Sequence, residues 1–308
     1  MSLLPDTLSG HKTSSLGLGT WVLGGGSDWG EISDSAASET VRAALAAEIN
    51  FIDTAPAYGW GLCEERVGTC IKKVRKSVFL STKCGICLNA SGRPDHDLRP
   101  FSIVKECEDS LRRLQTDYID LYQVHWPDPQ VPLEDVLGTM SRLKEQGKIR
   151  SIGICNFTAE ALRQACCYTE ISCVQNVFSL LSEFPSEIMD FCQRKQICFI
   201  GYGVLGGGIL SGKYKKEPNF RRSDARRYFY KHYVGSAFER AKEVARRVES
   251  LAQQKKVSAA AVALAWGLHE KKVSTILAGA RTVEQVHQNI QALNISLTRQ
   301  EREFLYHG

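Results

Sequence analysis

Short runs dense in apolar residues alternate along this chain with stretches of helical spacing. The runs lie at 16–21, 51–55, 78–83, 118–125, 149–156, 173–179, 198–204 and 273–280. Runs of this length, bounded by turn-forming residues, read as strands of a buried parallel sheet. Between them, apolar positions recur every three or four residues at 35–48, 63–73, 100–113, 133–146, 158–166, 186–194, 236–255 and 283–293, which predicts amphipathic helices. A further helix at 258–269 fits either as the packing helix of the seventh unit or as an addition before the last strand. Ser35, Thr158 and Thr282 stand where helix N-caps belong, the last two with Glu160 and Glu284 close behind.

Eight strands, each followed by a helix, predict an α/β fold: a (β/α)8 barrel over residues 1–308 as a single domain. A doubly wound sheet is the alternative, but eight regular units without a composition break argue against it. No linker, low-complexity tract or close repeat interrupts the series. Two connections are long, 21–34 after the first strand and 213–233 after the seventh, and long loops in a barrel usually serve function.

The strand ends carry the chemistry. Asp53 closes the second run with Tyr58 just beyond it, Lys83 closes the third, and His125 closes the fourth. Four such groups would converge at the mouth of a barrel, where barrels keep their active sites. A tyrosine releases its proton near pH 10, and a neighbouring cation lowers that value by about one to three units. Lys83 is placed to supply the cation, Asp53 to hold Lys83, and His125 to donate a hydrogen bond to a substrate carbonyl. A tuned weak acid over an electrophilic carbonyl suits reduction by hydride transfer.

Composition narrows the reading only a little. A net charge of +5 is far from the concentrated basic stripe of a nucleic-acid-binding protein, and the most apolar segment, 259–268, is too short to span a bilayer. Residues 1–10 lack the basic start and apolar core of a secretory signal, so the eleven cysteines read as reduced thiols of a cytoplasmic protein.

A hydride donor is needed, yet no G-x-G-x-x-G is completed: Gly17-Leu18-Gly19 runs into Thr20-Trp21-Val22. Other cradles lie after strand seven, at Tyr202-Gly203-Val204-Leu205-Gly206-Gly207-Gly208, and after strand eight, at Gly279-Ala280-Arg281-Thr282, where a helix N-terminus favours an anion.

These segments resemble the aldo-keto reductase superfamily, close to its bacterial inositol-utilisation and general-stress members. The likeness is carried by FIDTAPAYG at 51–59, STKC at 81–84, LQTDYIDLYQVHWPDP at 114–129 and GKIRSIGICNF at 147–157. The resemblance implies non-covalent NADP(H), with NAD(H) as the alternative, and a small-molecule carbonyl substrate. It makes Tyr58 the general acid, His125 the group that orients the carbonyl, and Lys83 with Asp53 the pair that tunes the tyrosine. Asn156 and Gln175, beside Cys155, would hold the nicotinamide carboxamide, and Tyr202 would stack on its ring. Gly19, Thr20, Trp21 and Asp53 would approach it from the first two strands, and Gly203, Val204, Leu205 and Gly206 from the seventh. Gly279, Ala280, Arg281, Gln285, Gln288 and Asn289 would surround the adenosine and its 2′-phosphate, while Trp21, Trp29, Trp60, Trp126 and Phe157 would wall the substrate around Tyr58 and His125. The chain departs from the family pattern at Cys155, where serine is expected, at Gly203, where a polar residue is usual, and at Gly207, where arginine is common. It departs also at Gln288, where an acidic residue is usual; these changes bear on cofactor affinity rather than on catalysis.

Other features have two readings. Cys84-Gly85-Ile86-Cys87 is a C-x-x-C without a second pair, read as incidental thiols rather than a redox or zinc site. Arg221, Arg222, Arg226 and Arg227 form either a solvated loop or a strap over a pyrophosphate, and His96, His232, His269 and His287 read as surface residues. A nucleotide-binding sensor, or an isomerase or aldolase on the same barrel, are the competing functions. Oligomeric state is not legible from the pattern.

Overall fold

The structure, a computed structural model, describes residues 12–307, so the reading of 1–10 lies outside the described residues. The barrel strands are β1 (Leu16–Gly19), β2 (Phe51–Asp53), β3 (Phe79–Cys84), β4 (Ile119–Val124), β5 (Ile149–Cys155), β6 (Cys173–Val177), β7 (Cys198–Tyr202) and β8 (Thr275–Gly279). They are parallel and close in the order β1-β8-β7-β6-β5-β4-β3-β2. This is the (β/α)8 barrel, and the doubly wound alternative falls because β1 pairs with both β2 and β8.

Phe51, Phe79, Leu121, Ile200 and Leu277 plug the barrel interior, with Phe51 and Phe79 stacked at 5.0 Å. Gly17 makes room for this plug: a Cβ there would lie 2.6 Å from Phe51 Cδ1. The larger core lies between the strands and the helices around them.

Several boundaries differ from the expectations. Most strands stop one or two residues earlier, as β1 does at Gly19 before Trp21 at the barrel mouth, whereas β3 runs one residue further, through Cys84. The first helix, Asp34–Ala46, is capped by Ser33, whose Oγ accepts from the Ala36 amide; Ser35 lies inside and donates to Glu39. Thr158 and Thr282 do cap their helices, accepting from Ala161 and Gln285. Helix Ala259–Leu268 is buried from Ala260 to Gly267 and packs between Gly235–Lys255 and β8.

Several elements have no counterpart in the pattern reading, among them short helices at Gly26–Trp29 and Ala225–Tyr228. A hairpin of Ile86–Leu88 and Pro94–His96 follows β3. Its turn is built by Asn89, whose Oδ1 accepts from Ser91 and Arg93 amides, and by Gly92 at φ +73°. A last helix, Arg299–His307, stacks Tyr306 on Trp266. Of the histidines read as surface residues, His269 is instead half-buried and tied to Ala265 and Leu297, and His232 is half-buried against the Gly206 carbonyl.

Candidate active site

Asp53 at the end of β2 and Lys83 near the end of β3 are both buried, whereas Tyr58 and His125 lie half-buried at the barrel mouth. Lys83 Nζ donates to Asp53 Oδ2 at 2.6 Å, to the Thr54 carbonyl at 2.9 Å and to Tyr58 Oη at 3.3 Å. An ammonium has three protons, so each has one acceptor, and the third is aimed at the phenol. The Tyr58 and His125 rings stand edge to face at 5.8 Å.

Charge follows from this packing. Burial opposes the Lys83 ammonium most strongly, but Asp53, Tyr58 and Cys155 together outweigh burial, and the group is held protonated. Burial pushes the Tyr58 phenol up, Lys83 pulls it down, and the net direction is up. This corrects the expectation of a phenol tuned below its ordinary value: in this structure burial outweighs the cation, and the phenol keeps its proton at neutral pH. Burial, with Lys83 nearby, holds His125 well below the usual histidine range, so its imidazole is neutral and keeps one N–H to donate.

A cleft of about 700 Å³ opens over these groups. Gly19, Thr20, Trp21 and Asp53 line it from β1 and β2, and Asn156, Gln175 and Tyr202 line its floor. The Tyr202 hydroxyl donates to Asn156 Oδ1 at 2.6 Å, and Asn156 Nδ2 donates to the His125 carbonyl at 3.0 Å. Gly203, Val204 and Leu205 continue the wall, joined by Gly207 and Gly208, all three glycines at positive φ. Gly279, Ala280, Arg281, Gln285, Gln288 and Asn289 line the far end.

Three residues expected in the cleft lie elsewhere. Asn156 adopts φ +63°, a left-handed turn in which its own side chain lines the cleft and Phe157 packs into the core, 3% exposed. Cys155 lies below the floor, its thiol between Gln123 and Gln175. Gly206 turns its carbonyl to His232 and Tyr233, so the neighbouring glycines form the wall instead. Arg281 lines the cleft, but its guanidinium donates to the carbonyls of Trp29, Gly30 and Glu31 and so ties β8 to the loop after β1.

On the substrate side Trp21, Trp29, Trp60 and Trp126 all line the cleft. Trp21 stacks on Tyr58 at 5.9 Å and meets Trp29 and Phe229 edge-on at 5.2 and 5.1 Å. Sequence reasoning missed Phe229, Tyr228 and Tyr230, which the loop after β7 brings to the wall, and Ile86 and Pro94 of the hairpin. The run Tyr228-Phe229-Tyr230 inside a long loop was the available signal. Of the arginine cluster, Arg226 lines the cleft, clamped by Asp224 and Tyr214, while Arg221, Arg222 and Arg227 are exposed. Cys84 is buried beneath the mouth and Cys87 sits on the hairpin; burial raises both thiols, so neither is an activated nucleophile. Among the described residues no helix is long and apolar enough to cross a membrane.

The model of the aldo/keto reductase family matches residues 15–304. The chain is 37% identical to the aldo-keto reductase YhdN of Bacillus subtilis over 90% of this chain and 84% of that one. It is 32% identical to an NADH-specific methylglyoxal reductase of Escherichia coli, over 97% and 95% of the two chains. The glycerol dehydrogenase AKR11B4 of Gluconobacter oxydans superposes with a TM-score of 0.86 at 32% identity, covering 95% of this chain and 90% of that one. A barrel with this floor, matched by the family model along nearly its whole length, belongs to the aldo-keto reductase family of nicotinamide-dependent carbonyl oxidoreductases.

Proposed function

We propose that the protein reduces small aldehydes or ketones to alcohols with NADPH, and that Tyr58 is the acid that protonates the nascent alkoxide. The observation that carries this reading is the Lys83 N–H aimed at Tyr58 Oη beside a neutral His125 on the floor of the cleft. His125 donates its N–H to the substrate oxygen and fixes it against the phenol. As charge builds on that oxygen, Tyr58 gives up its proton and Lys83 stabilises the phenolate left behind. The aromatic wall of Trp21, Trp29 and Phe229 excludes water from the exchange and favours apolar or flat substrates.

The cleft fits a dinucleotide. Asn156, Gln175 and Tyr202 would hold the nicotinamide, which supplies the hydride. Gly207 and Gly208 line the cleft with the Tyr230 ring and the Lys213 ammonium close against their backbone, and Lys213, which has no carboxylate partner among the described residues, would neutralise phosphates held there. Arg281 supports NADPH as the form bound. A second reading, NADH, is favoured by one observation: the Arg281 guanidinium is already bonded to three carbonyls and must leave some of them to take a 2′-phosphate.

The test is single-turnover oxidation of bound NADPH by a reactive aromatic aldehyde, with wild type beside Tyr58→Phe. Rapid oxidation in the wild type, lost in the variant, is the expected result. Binding of NADPH without oxidation in either protein overturns the reductase reading, and no binding of either nucleotide overturns the cofactor assignment.

A further inference from the structure

Asp53 has more partners than Lys83 alone, and they form one layer across five strands. Asp53 faces Ser81 in the β2–β3 register, Lys83 faces Gln123 across β3–β4, Gln123 faces Gly153 across β4–β5, and Cys155 faces Gln175 across β5–β6. Ser81 Oγ and Gln175 Nε2 each donate to Asp53 Oδ1 at 3.0 Å. Gln123 Nε2 donates to Ser81 Oγ at 2.8 Å and more weakly to Asp53 Oδ1 at 3.4 Å. Behind it, the Cys155 thiol donates to Gln123 Oε1 at 3.4 Å, with Gln175 Oε1 at 3.7 Å as its other acceptor.

The donors all point one way, toward the carboxylate. Reversing the Gln123 amide would turn its oxygen on Ser81 and Asp53 and lose both donations, so the network itself sets the orientation. Space for the side chain is reserved, since a Cβ on Gly153 would lie 2.8 Å from Gln123 Cγ. Ser81, Gln123, Cys155 and Gln175 are at most 3% exposed, so their hydrogen bonds are shielded from bulk water.

A buried ammonium–carboxylate pair stays ionised only while the remaining lone pairs of the carboxylate are satisfied. Without that, the proton passes from Lys83 Nζ to Asp53, leaving an amine and a carboxylic acid, and Tyr58 loses the cation beside it. We propose that Gln123 and Ser81 are positioning residues. Their relay into Asp53 Oδ1 keeps the proton on Lys83 and thereby sets the acidity of Tyr58. The consequence for turnover rests on the reading of Tyr58 as the proton donor. The other titratable groups at this layer and above it are Tyr58, Cys155, His125 and Tyr202. Burial keeps each of them uncharged near neutral pH, so none replaces the missing charge.

The experiment uses Gln123→Met, which keeps the shape and removes the donors, and Ser81→Ala. The first readout is the ¹⁵N resonance of the Lys83 ammonium in the cofactor-free protein across pH, assigned with Lys83→Met. The second is the pH profile of kcat for alcohol oxidation, in which Tyr58 must accept a proton. In the wild type the ammonium signal persists into strongly basic solution. In each variant it is lost at least one pH unit lower, and the rising limb of the oxidation profile moves up by about one unit, about tenfold in kcat on the limb. A fall in kcat with both the resonance and the profile unmoved overturns the proposal. A shifted resonance in a protein that turns over no alcohol or carbonyl leaves the relay standing and removes the reductase reading instead. If Gln123→Met fails to fold, Ser81→Ala decides by the same two readouts.

Discussion

Tyr202 and Asn156 meet across the floor of the barrel mouth, the phenol of one donating to the amide oxygen of the other at 2.6 Å. They come from β7 and the end of β5, so the contact passes over β6. It fixes which way the Asn156 amide points, and a left-handed backbone at Asn156 carries the side chain into the cleft.

Tyr202→Phe therefore keeps the ring and releases the amide. One neutral hydrogen bond contributes about 0.5–1.5 kcal/mol, so nucleotide affinity should fall roughly three- to tenfold with little change in fold stability. Quenching of tryptophan fluorescence by NADPH measures it, and unchanged affinity would show that Asn156 needs no such support.

The Asp53–Lys83 pair predicts an asymmetry. Asp53→Ala leaves a buried ammonium without its counter-ion and should destabilise the fold by about 3–5 kcal/mol. Lys83→Met removes the charge that Asp53 holds, and the carboxyl can take up a proton, so this variant should fold better while losing turnover. Urea denaturation of the two beside wild type gives the order, and equal stability would contradict it.

Glu106 gives a pH dependence with a definite sign. Its carboxylate accepts from the Gly85 amide at the foot of the hairpin, and burial raises its titration to about 8. The unfolded chain releases this proton near about pH 4.3. Between those values the folded state binds more protons than the unfolded one, so stability falls as pH rises, by at most about 1.4 kcal/mol per pH unit. Glu106→Gln should match wild type near pH 4 and exceed it at pH 8.5 in thermal melts. A difference that does not vary with pH would sink this account.

Arg281→Ala separates its two roles. If the guanidinium serves a 2′-phosphate, NADPH affinity falls by about ten- to a hundredfold while NADH affinity holds, as expected for hydrogen bonds to a charged group. Equal loss for both nucleotides would mean that Arg281 acts by tying the loop at Trp29, Gly30 and Glu31.

The barrel plug is predicted to be unforgiving. Phe51→Ala removes a fully packed ring from the closed interior, where little can collapse into the gap, and should cost about 3–5 kcal/mol. Calorimetry checks it; a loss below 1 kcal/mol would mean that Phe79 and Leu277 relax into the space.

How much of this was legible in the chain depends on whether the signal is local. Strand runs, helix periods and the caps at Thr158 and Thr282 are set by neighbours in sequence, and they were readable. So were Asp53, Tyr58, Lys83 and His125, because strand ends in a barrel share one rim whatever the details of packing. The cap at Ser33 and the hairpin at Ile86–His96 escaped because several polar residues nearby could have made those turns, and only packing chooses among them.

Direction and depth of side chains were decided by the tertiary structure alone. Phe157 follows Asn156 in sequence, yet one positive φ separates a residue lining the cleft from a core residue. Cys155 and Gly206 lie beside cleft residues in the chain but behind them in space. Gln123 and Ser81 carried no signal as single letters, because a buried amide acquires its role from strand register with Asp53 and Lys83 on other strands. The periodicity of the chain thus determined which elements form and which ends meet. Closure of the barrel determined which groups are dry, which are paired, and therefore which are charged, because burial and neighbouring charges depend on residues distant in sequence.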